Sequence, residues 1–166
     1  MNIDITFEAE INKVSVGVIA KDGVVRRICK LVLAREFDTL ICHGLKGDAL
    51  KALRSLEQGG LTEATLPIDG IIASGTFRAA LSPMAEVTVP DLRGVLAKGK
   101  AGKDTDHPPT IKLGFEFDWS EQSWLFLGRN CSAHAEVTIK SRQIEMAFPV
   151  GAPGKAKNGK RLRIET

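Results

Sequence analysis

Strict alternation of apolar and polar residues is the feature that most constrains how this chain folds. In residues 3–11 every odd position is apolar and every even position is polar. The same alternation returns at residues 111–119, broken on its polar side only by Gly114, and again at 133–139. Successive side chains of a β-strand point to opposite faces, so each of these runs has one face for a core and one for solvent. The pattern predicts antiparallel sheet that is buried on one side.

From this pattern we predict an α+β protein dominated by antiparallel β-sheet, either a sandwich or a strongly curved sheet. One amphipathic helix is expected near residues 48–58. Its N-cap is Asp48, and its apolar stripe is formed by Leu50, Leu53 and Leu56. The dipeptide Asp22-Gly23 predicts the tight turn of a hairpin, because these residues tolerate positive φ angles.

Other segments carry weaker local signals. The short apolar run Leu40–Cys42 predicts a strand, and the polar stretch 97–109 predicts a mobile loop. Residues 120–123 are expected to form a turn before a further strand at 124–129. In that arrangement Trp119 and Trp124 form a cross-strand pair, with a recognition patch as the alternative. Residues 143–148 are expected to complete the core.

The composition is that of an ordinary globular chain. With 166 residues, 43% of them hydrophobic, we expect one sheet-rich domain over residues 1–150 followed by a flexible basic tail over 151–166. No apolar run approaches the roughly 20 residues that span a bilayer, so no membrane partner is expected. Three widely spaced cysteines and a start without secretory features favour a cytoplasmic location.

The positive charge is concentrated in two segments. The chain carries a net charge of +3, of which the tail contributes +4, so residues 1–150 carry −1. The cations of the two segments are Lys98, Lys100 and Lys103 in the predicted loop and Lys155, Lys157, Lys160, Arg161 and Arg163 in the tail. Both segments lack aromatic residues for stacking on bases, but both suit nonspecific binding of phosphates. The alternative is that they only keep the chain soluble.

A second candidate phosphate site lies at Gly44, Lys46 and Gly47, just before the predicted helix. Backbone N–H groups at a glycine-rich turn into a helix are able to bind a phosphate. GxxG loops that touch nucleic-acid backbone join two helices, whereas here a strand is predicted on the N-terminal side. The alternative is a tight turn that needs glycine for steric reasons.

The residues that bear metal or catalytic chemistry form no recognised motif. Cys131 and His134 are suitably spaced for zinc, but no C-x2-C pair accompanies them. The segment 104–107 offers two aspartates and a histidine beside several lysines, which oppose a cation. We therefore expect no metal and no cofactor, and we assign no catalytic residue.

Charge placement favours a small non-enzymatic binding module that contacts nucleic acid, or a nucleic-acid-processing protein, through its basic loop and tail. Two alternatives remain open. One is a structural protein that self-associates through sheet edges. The other is an enzyme with a spatially assembled site, which a pocket holding a histidine and a carboxylate of shifted pKa would favour. The oligomeric state does not follow from the sequence.

Overall fold

A computed structural model of the protein describes residues 4–45, 48–68, 72–82, 84–104 and 106–141. Seven strands and three short helices account for most of this part of the chain. In order they are β1 (Asp4–Lys21), β2 (Val24–Glu36), α1 (Thr39–Gly44), α2 (Ala49–Glu57), β3 (Glu63–Pro67), β4 (Ile72–Ala79), β5 (Glu86–Lys100), β6 (Thr110–Asp118), α3 (Glu121–Arg129) and β7 (His134–Ser141).

All the strand pairs are antiparallel, and six of the strands form a closed ring. The sheet order is β3-β5-β4-β7-β1-β2-β6, and β6 pairs in addition with β5. The ring is therefore β1-β2-β6-β5-β4-β7, with β3 attached to the second half of β5. The predicted α+β class is confirmed, and of its two variants the strongly curved sheet is the one that forms.

Two irregularities in β5 allow the sheet to curve this far. Pro90 and Asp91 together face a single residue of β4, and Asp91 has a φ of 55°. Val95 is a second extra residue, inserted opposite β6. Bulges bend a strand and increase its local twist. As a result the first half of β5 pairs with β4, and its second half pairs with β6 and β3.

The core lies inside the curved sheet, as the alternation predicts. Ile5, Phe7, Ala9 and Ile11 of β1 are buried, and their polar neighbours in sequence point outward. The inward residues of β6 and β7 are also buried. The hairpin turn at Asp22-Gly23 is confirmed, with φ angles of 54° and 76°.

The predicted helix is confirmed, and its buried stripe differs from the predicted one at a single position, where Ala49 takes the place of Leu50. Ala49, Leu53 and Leu56 of α2 are buried, whereas Leu50 is 39% exposed. Asp48 occupies the N-cap position, but its side chain makes no capping hydrogen bond.

Two predictions of strand structure are wrong, because each segment begins with a helix cap. The run 40–42 belongs to α1, whose first turn is capped by the Asp38 carboxylate accepting from the backbone N–H of Ile41 at 3.2 Å. The predicted turn and strand at 120–129 form α3 instead, capped by the Ser120 hydroxyl. A side-chain oxygen that accepts from a free first-turn N–H favours a helix over a strand. Trp124 therefore lies on α3 and forms no cross-strand pair with Trp119.

The predicted loop at 97–109 is also shorter than expected. Residues 97–100 continue β5, in which Ala97 and Gly99 face the core. A Cβ on Gly99 would lie 3.0 Å from side-chain atoms of both Leu56 and Phe37, so glycine allows α2 to pack closely here. The segments 143–148 and 151–166 lie outside the described residues.

Candidate nucleic-acid interface

Lys98 and Lys100 lie on the outer face of β5, where they alternate with the buried Ala97 and Gly99. Two residues along a strand advance about 7 Å on the same face. The two lysines are thus held side by side by the sheet. Lys103 is exposed in the segment that follows β5.

A third lysine completes this group. Lys112 of β6 is the direct cross-strand partner of Lys98. Directly opposed residues have Cβ atoms about 5 Å apart, and like charges in such a pair are destabilising. None of the three ammonium groups forms an ion pair with a carboxylate in the described part of the chain. We call Lys98, Lys100 and Lys112 the lysine cluster.

Sequence reasoning missed Lys112, although the alternation of β6 already places it on the outer face. What it lacked was the register between β5 and β6, which sets Lys112 opposite Lys98. The two residues are separated by a long connection, so no local signal fixes that register.

The lysine cluster belongs to a larger basic side of the molecule. We define the basic side as the outer faces of β2, β3, β6 and the second half of β5. Its cations are Arg26, Lys30, Arg93, Lys98, Lys100 and Lys112, and its carboxylates are Glu36, Glu63, Glu116 and Asp118. Two of these cations are paired, Arg26 with Asp118 at 3.0 Å and Arg93 with Glu116 at 3.4 Å.

The opposite side carries the reverse charge. We define the acidic side as the outer faces of β4, β7, the first half of β1 and the start of β5. Its carboxylates are Asp4, Glu8, Glu10, Glu86 and Glu136, and its cations are Arg78 and Lys140. A row of four threonines, Thr6, Thr138, Thr76 and Thr88, runs across it, with hydroxyl contacts of 3.1 Å and 3.2 Å.

A like-charge pair occurs on the acidic side as well, but it is compensated. Glu8 and Glu136 are direct cross-strand partners. Arg78 lies beside them and contacts Glu136 at 3.3 Å and Glu86 at 3.0 Å. The opposed carboxylates therefore have a counterion beside them, whereas no carboxylate of the described residues lies within ion-pair distance of the opposed lysines. The carboxylate on the neighbouring strand β3, Glu63, is the cross-strand partner of Lys100.

The second predicted phosphate site is only partly described. Gly44 is the last residue of α1, and a Cβ there would lie 3.2 Å from the Ile5 side chain, so its packing explains the glycine. Lys46 and Gly47 lie outside the described residues. The expectation of a strand on the N-terminal side of residues 44–47 is wrong, since helix α1 ends at Gly44 and helix α2 follows. Its phosphate-binding role stays a prediction.

A cleft of about 550 Å³ lies between the C-terminal end of α2 and the segment that follows β5. His107 Nδ1 lies 2.7 Å from Asp104 Oδ1 in its wall, and this hydrogen bond lowers the pKa of the Asp104 carboxyl. Asp104 also accepts from the backbone N–H of Asp106 at 2.9 Å. Both side chains of the pair are more than half exposed. A pocket with a histidine and a carboxylate of shifted pKa is the feature named above as favouring the enzyme alternative. The contacts themselves are those of an Asx-type turn that orders the segment, and the enzyme alternative stays a prediction.

The cysteines lie apart and in different environments. Cys29 is buried and Cys42 is half-buried, and burial raises the pKa of both thiols. Cys131 is exposed. Within the described residues no group of three or more histidine, cysteine or acidic side chains is placed to hold a metal ion.

Comparison of the chain with protein-family models, with curated proteins and with solved structures gives no match. In the described part of the chain, no helix combines the length and the apolar character needed to cross a membrane. The argument for function therefore rests on the two differently charged sides of the curved sheet.

Proposed function

We propose that this protein is a small non-enzymatic module that binds nucleic acid through its basic side. The observation that carries the proposal is the Lys98–Lys112 pair, in which two like charges are opposed across the sheet and form no ion pair with a carboxylate of the described residues. Like charges directly opposed across a sheet are destabilising. An anion that lies between the two ammonium groups removes this cost and gains two favourable contacts.

A polyanion fits this surface better than a single small anion. The lysine cluster presents three lysines whose Cβ atoms lie about 5–8 Å apart on the sheet. Phosphate groups repeat regularly along a nucleic-acid strand, and each one neutralised releases condensed counterions. The tail adds five further cations, Lys155, Lys157, Lys160, Arg161 and Arg163, whose contribution is part of the proposal. In this proposal the protein acts in the cytoplasm and needs no cofactor.

The test is a salt titration of binding to a labelled DNA fragment. We expect Lys98→Ala/Lys112→Ala to weaken binding and to flatten the slope of log affinity against log salt by up to about 2 units, near 0.9 for each lost phosphate contact. The matched control is Lys51→Ala/Lys140→Ala, which removes the same charge from exposed positions on α2 and on the acidic side.

Two outcomes would contradict the proposal. One is equal weakening in the control, which would show that only total charge matters. The other is the absence of binding at about 50 mM salt, where nonspecific electrostatic binding is strong. The same titration on the chain shortened to residues 1–150 measures the contribution of the tail, and we expect its removal to reduce the slope further.

A further inference from the structure

The hairpin between β1 and β2 projects beyond the rest of the sheet. β1 pairs with β7 only over residues 4–10, and β2 pairs with β6 only from Ile28 onward. Residues 18–27, which we call the hairpin arm, pair within the described part of the chain with each other, apart from one backbone bond from Trp119 N–H to the Arg27 carbonyl. Two side-chain contacts also reach the arm from β6 and the residue after it: Asp118 pairs with Arg26, and the Trp119 ring lies against Arg27. Four residue pairs extend the arm by about 14 Å.

The arm is unusually apolar for a segment exposed on both faces. Val18, Val24 and Val25 are 65%, 58% and 69% exposed, and Ile19 is 38% exposed. Val18 and Val25 share one face of the arm with Ala20, which is the direct partner of Val25. Clustered exposed hydrophobic side chains on a soluble protein mark an interaction site.

The arm is also basic, and its charge continues that of the basic side. Lys21 and Arg26 lie on the outer face of the arm, opposite to the face of Val18 and Val25, and Arg26 pairs with Asp118. Along β2 this outer face leads past the buried Ile28 to Lys30 and then to Ala34 beside Lys112. Val24, the cross-strand partner of Lys21, lies ten residues before Ala34, which corresponds to about 34 Å along the path of the strand.

These observations distinguish between ligands. Two arms packed through the face of Val18 and Val25 would oppose their Arg27 side chains, which lie on that same face, so charge disfavours a second copy. A lipid surface would engage the arm alone and leave the lysine cluster unused. A DNA duplex matches both parts, because a two-stranded β-ribbon fits the major groove and apolar side chains wedge between bases in the minor groove. The deep, narrow major groove of A-form RNA does not admit such a ribbon.

We infer that the hairpin arm and the lysine cluster form one binding stripe for double-stranded DNA, with the arm in a groove and the lysines on the phosphates. This inference rests on the proposed nucleic-acid binding and names its ligand. The arm is then the part that distinguishes a duplex from a single strand, and the lysine cluster serves both.

The experiment measures the affinity of the full chain for a labelled DNA duplex, for its single strand and for an RNA duplex of the same length. We expect the DNA duplex to bind most tightly. Val18→Asp/Val25→Asp should weaken duplex binding by about tenfold or more while changing single-strand binding much less. The control Leu81→Asp/Met84→Asp introduces the same charge at two highly exposed apolar residues outside the stripe.

A second variant keeps the test valid if aspartate disturbs the arm. Val18→Thr/Val25→Thr retains the branched shape and the strand preference, and it should lower the ratio of duplex to single-strand affinity in the same direction. Equal affinity for duplex and single strand, unchanged by the arm variants, would overturn the inference. If Lys98→Ala/Lys112→Ala still weakened binding, the proposed function would nevertheless stand.

Two further measurements test whether the hairpin arm binds something other than DNA. Sedimentation that shows a wild-type dimer and monomeric arm variants would assign the arm to self-association. Binding to phosphatidylserine vesicles that the arm variants abolish would assign it to a lipid surface. If none of the three nucleic acids binds at about 50 mM salt, the proposed function itself is contradicted.

Discussion

The acidic and basic sides of the curved sheet differ in how their opposed like charges are compensated. Each side contains two like charges directly opposed across neighbouring strands, Glu8 with Glu136 and Lys98 with Lys112. On the acidic side Arg78 contacts Glu136 at 3.3 Å. On the basic side no carboxylate within the described residues pairs with the lysines. This difference is the observation behind our proposal that the basic side binds an anion from outside the protein.

The largest expected effect is on the free energy of unfolding, and it concerns the core beneath the two sides. Phe115 of β6 lies beneath the basic side and Phe77 of β4 beneath the acidic side, and both are buried. Phe115→Ala and Phe77→Ala should each lower the free energy of unfolding by about 3–5 kcal/mol, because each leaves a large cavity. Thr138→Ala, on the outer face, should cost less than about 1 kcal/mol. Urea denaturation measures all three variants. If Thr138→Ala cost as much as the two phenylalanine variants, the inner and outer faces would be assigned wrongly.

The second effect concerns binding. Lys98→Glu/Lys112→Glu should weaken DNA binding by about 100-fold, since two charged contacts of about 1.5 kcal/mol or more are lost and replaced by repulsion. Glu8→Lys/Glu136→Lys, the reverse change on the acidic side, should not weaken it. A fluorescence anisotropy titration at fixed salt compares the two. Equal loss in both variants would mean that neither side is the binding surface.

The third effect is smaller and has opposite signs on the two sides. Lys112→Gln removes one of the opposed lysines and should raise the free energy of unfolding by at most about 0.5 kcal/mol, because like charges opposed across a sheet are destabilising and the position is on the surface. Arg78→Gln removes the counterion beside the opposed Glu8 and Glu136 and should lower it by at most about 1 kcal/mol, because Arg78 and its two carboxylate partners are about half exposed. Changes of the same sign in the two variants would contradict the comparison.

The smallest effect is a pH dependence at the end of the basic side. The hydrogen bond from His107 lowers the pKa of the Asp104 carboxyl. Its contribution to stability is therefore complete above the ordinary pKa of an aspartate, about 3.9, and is lost as the pH falls through the lowered native value. NMR titration of Asp104 should show its pKa rising in His107→Ala. An unchanged pKa in that variant would mean that the pair does not form in solution.

Local patterns in the sequence predict the faces of the strands well. The alternation in β1, β6 and β7 identifies the inward residues, and Asp22-Gly23 identifies the hairpin turn. Helices α1 and α3 were not predicted, because their short apolar runs have no clear periodicity. In both cases a cap residue, Asp38 or Ser120, was the available signal.

The candidate site was harder to predict because it depends on register. The alternation of small and basic residues over 97–100 is visible in the sequence, but it was interpreted as a loop. Lys112 and Lys98 meet only because the bulges in β5 bend that strand onto β6. The exposure of the hairpin arm likewise depends on where β6 and β7 stop pairing, which no residue within the arm encodes.

The most direct test of the account is an NMR map of the surface that DNA contacts. A labelled sample of the full chain is titrated with a short DNA duplex at about 50 mM salt, where electrostatic binding is strong. The account predicts amide shift changes along β2, β6, the second half of β5 and the hairpin arm, and none in the threonine row of the acidic side. Shift changes centred on the acidic side, or no change at any residue, would contradict it.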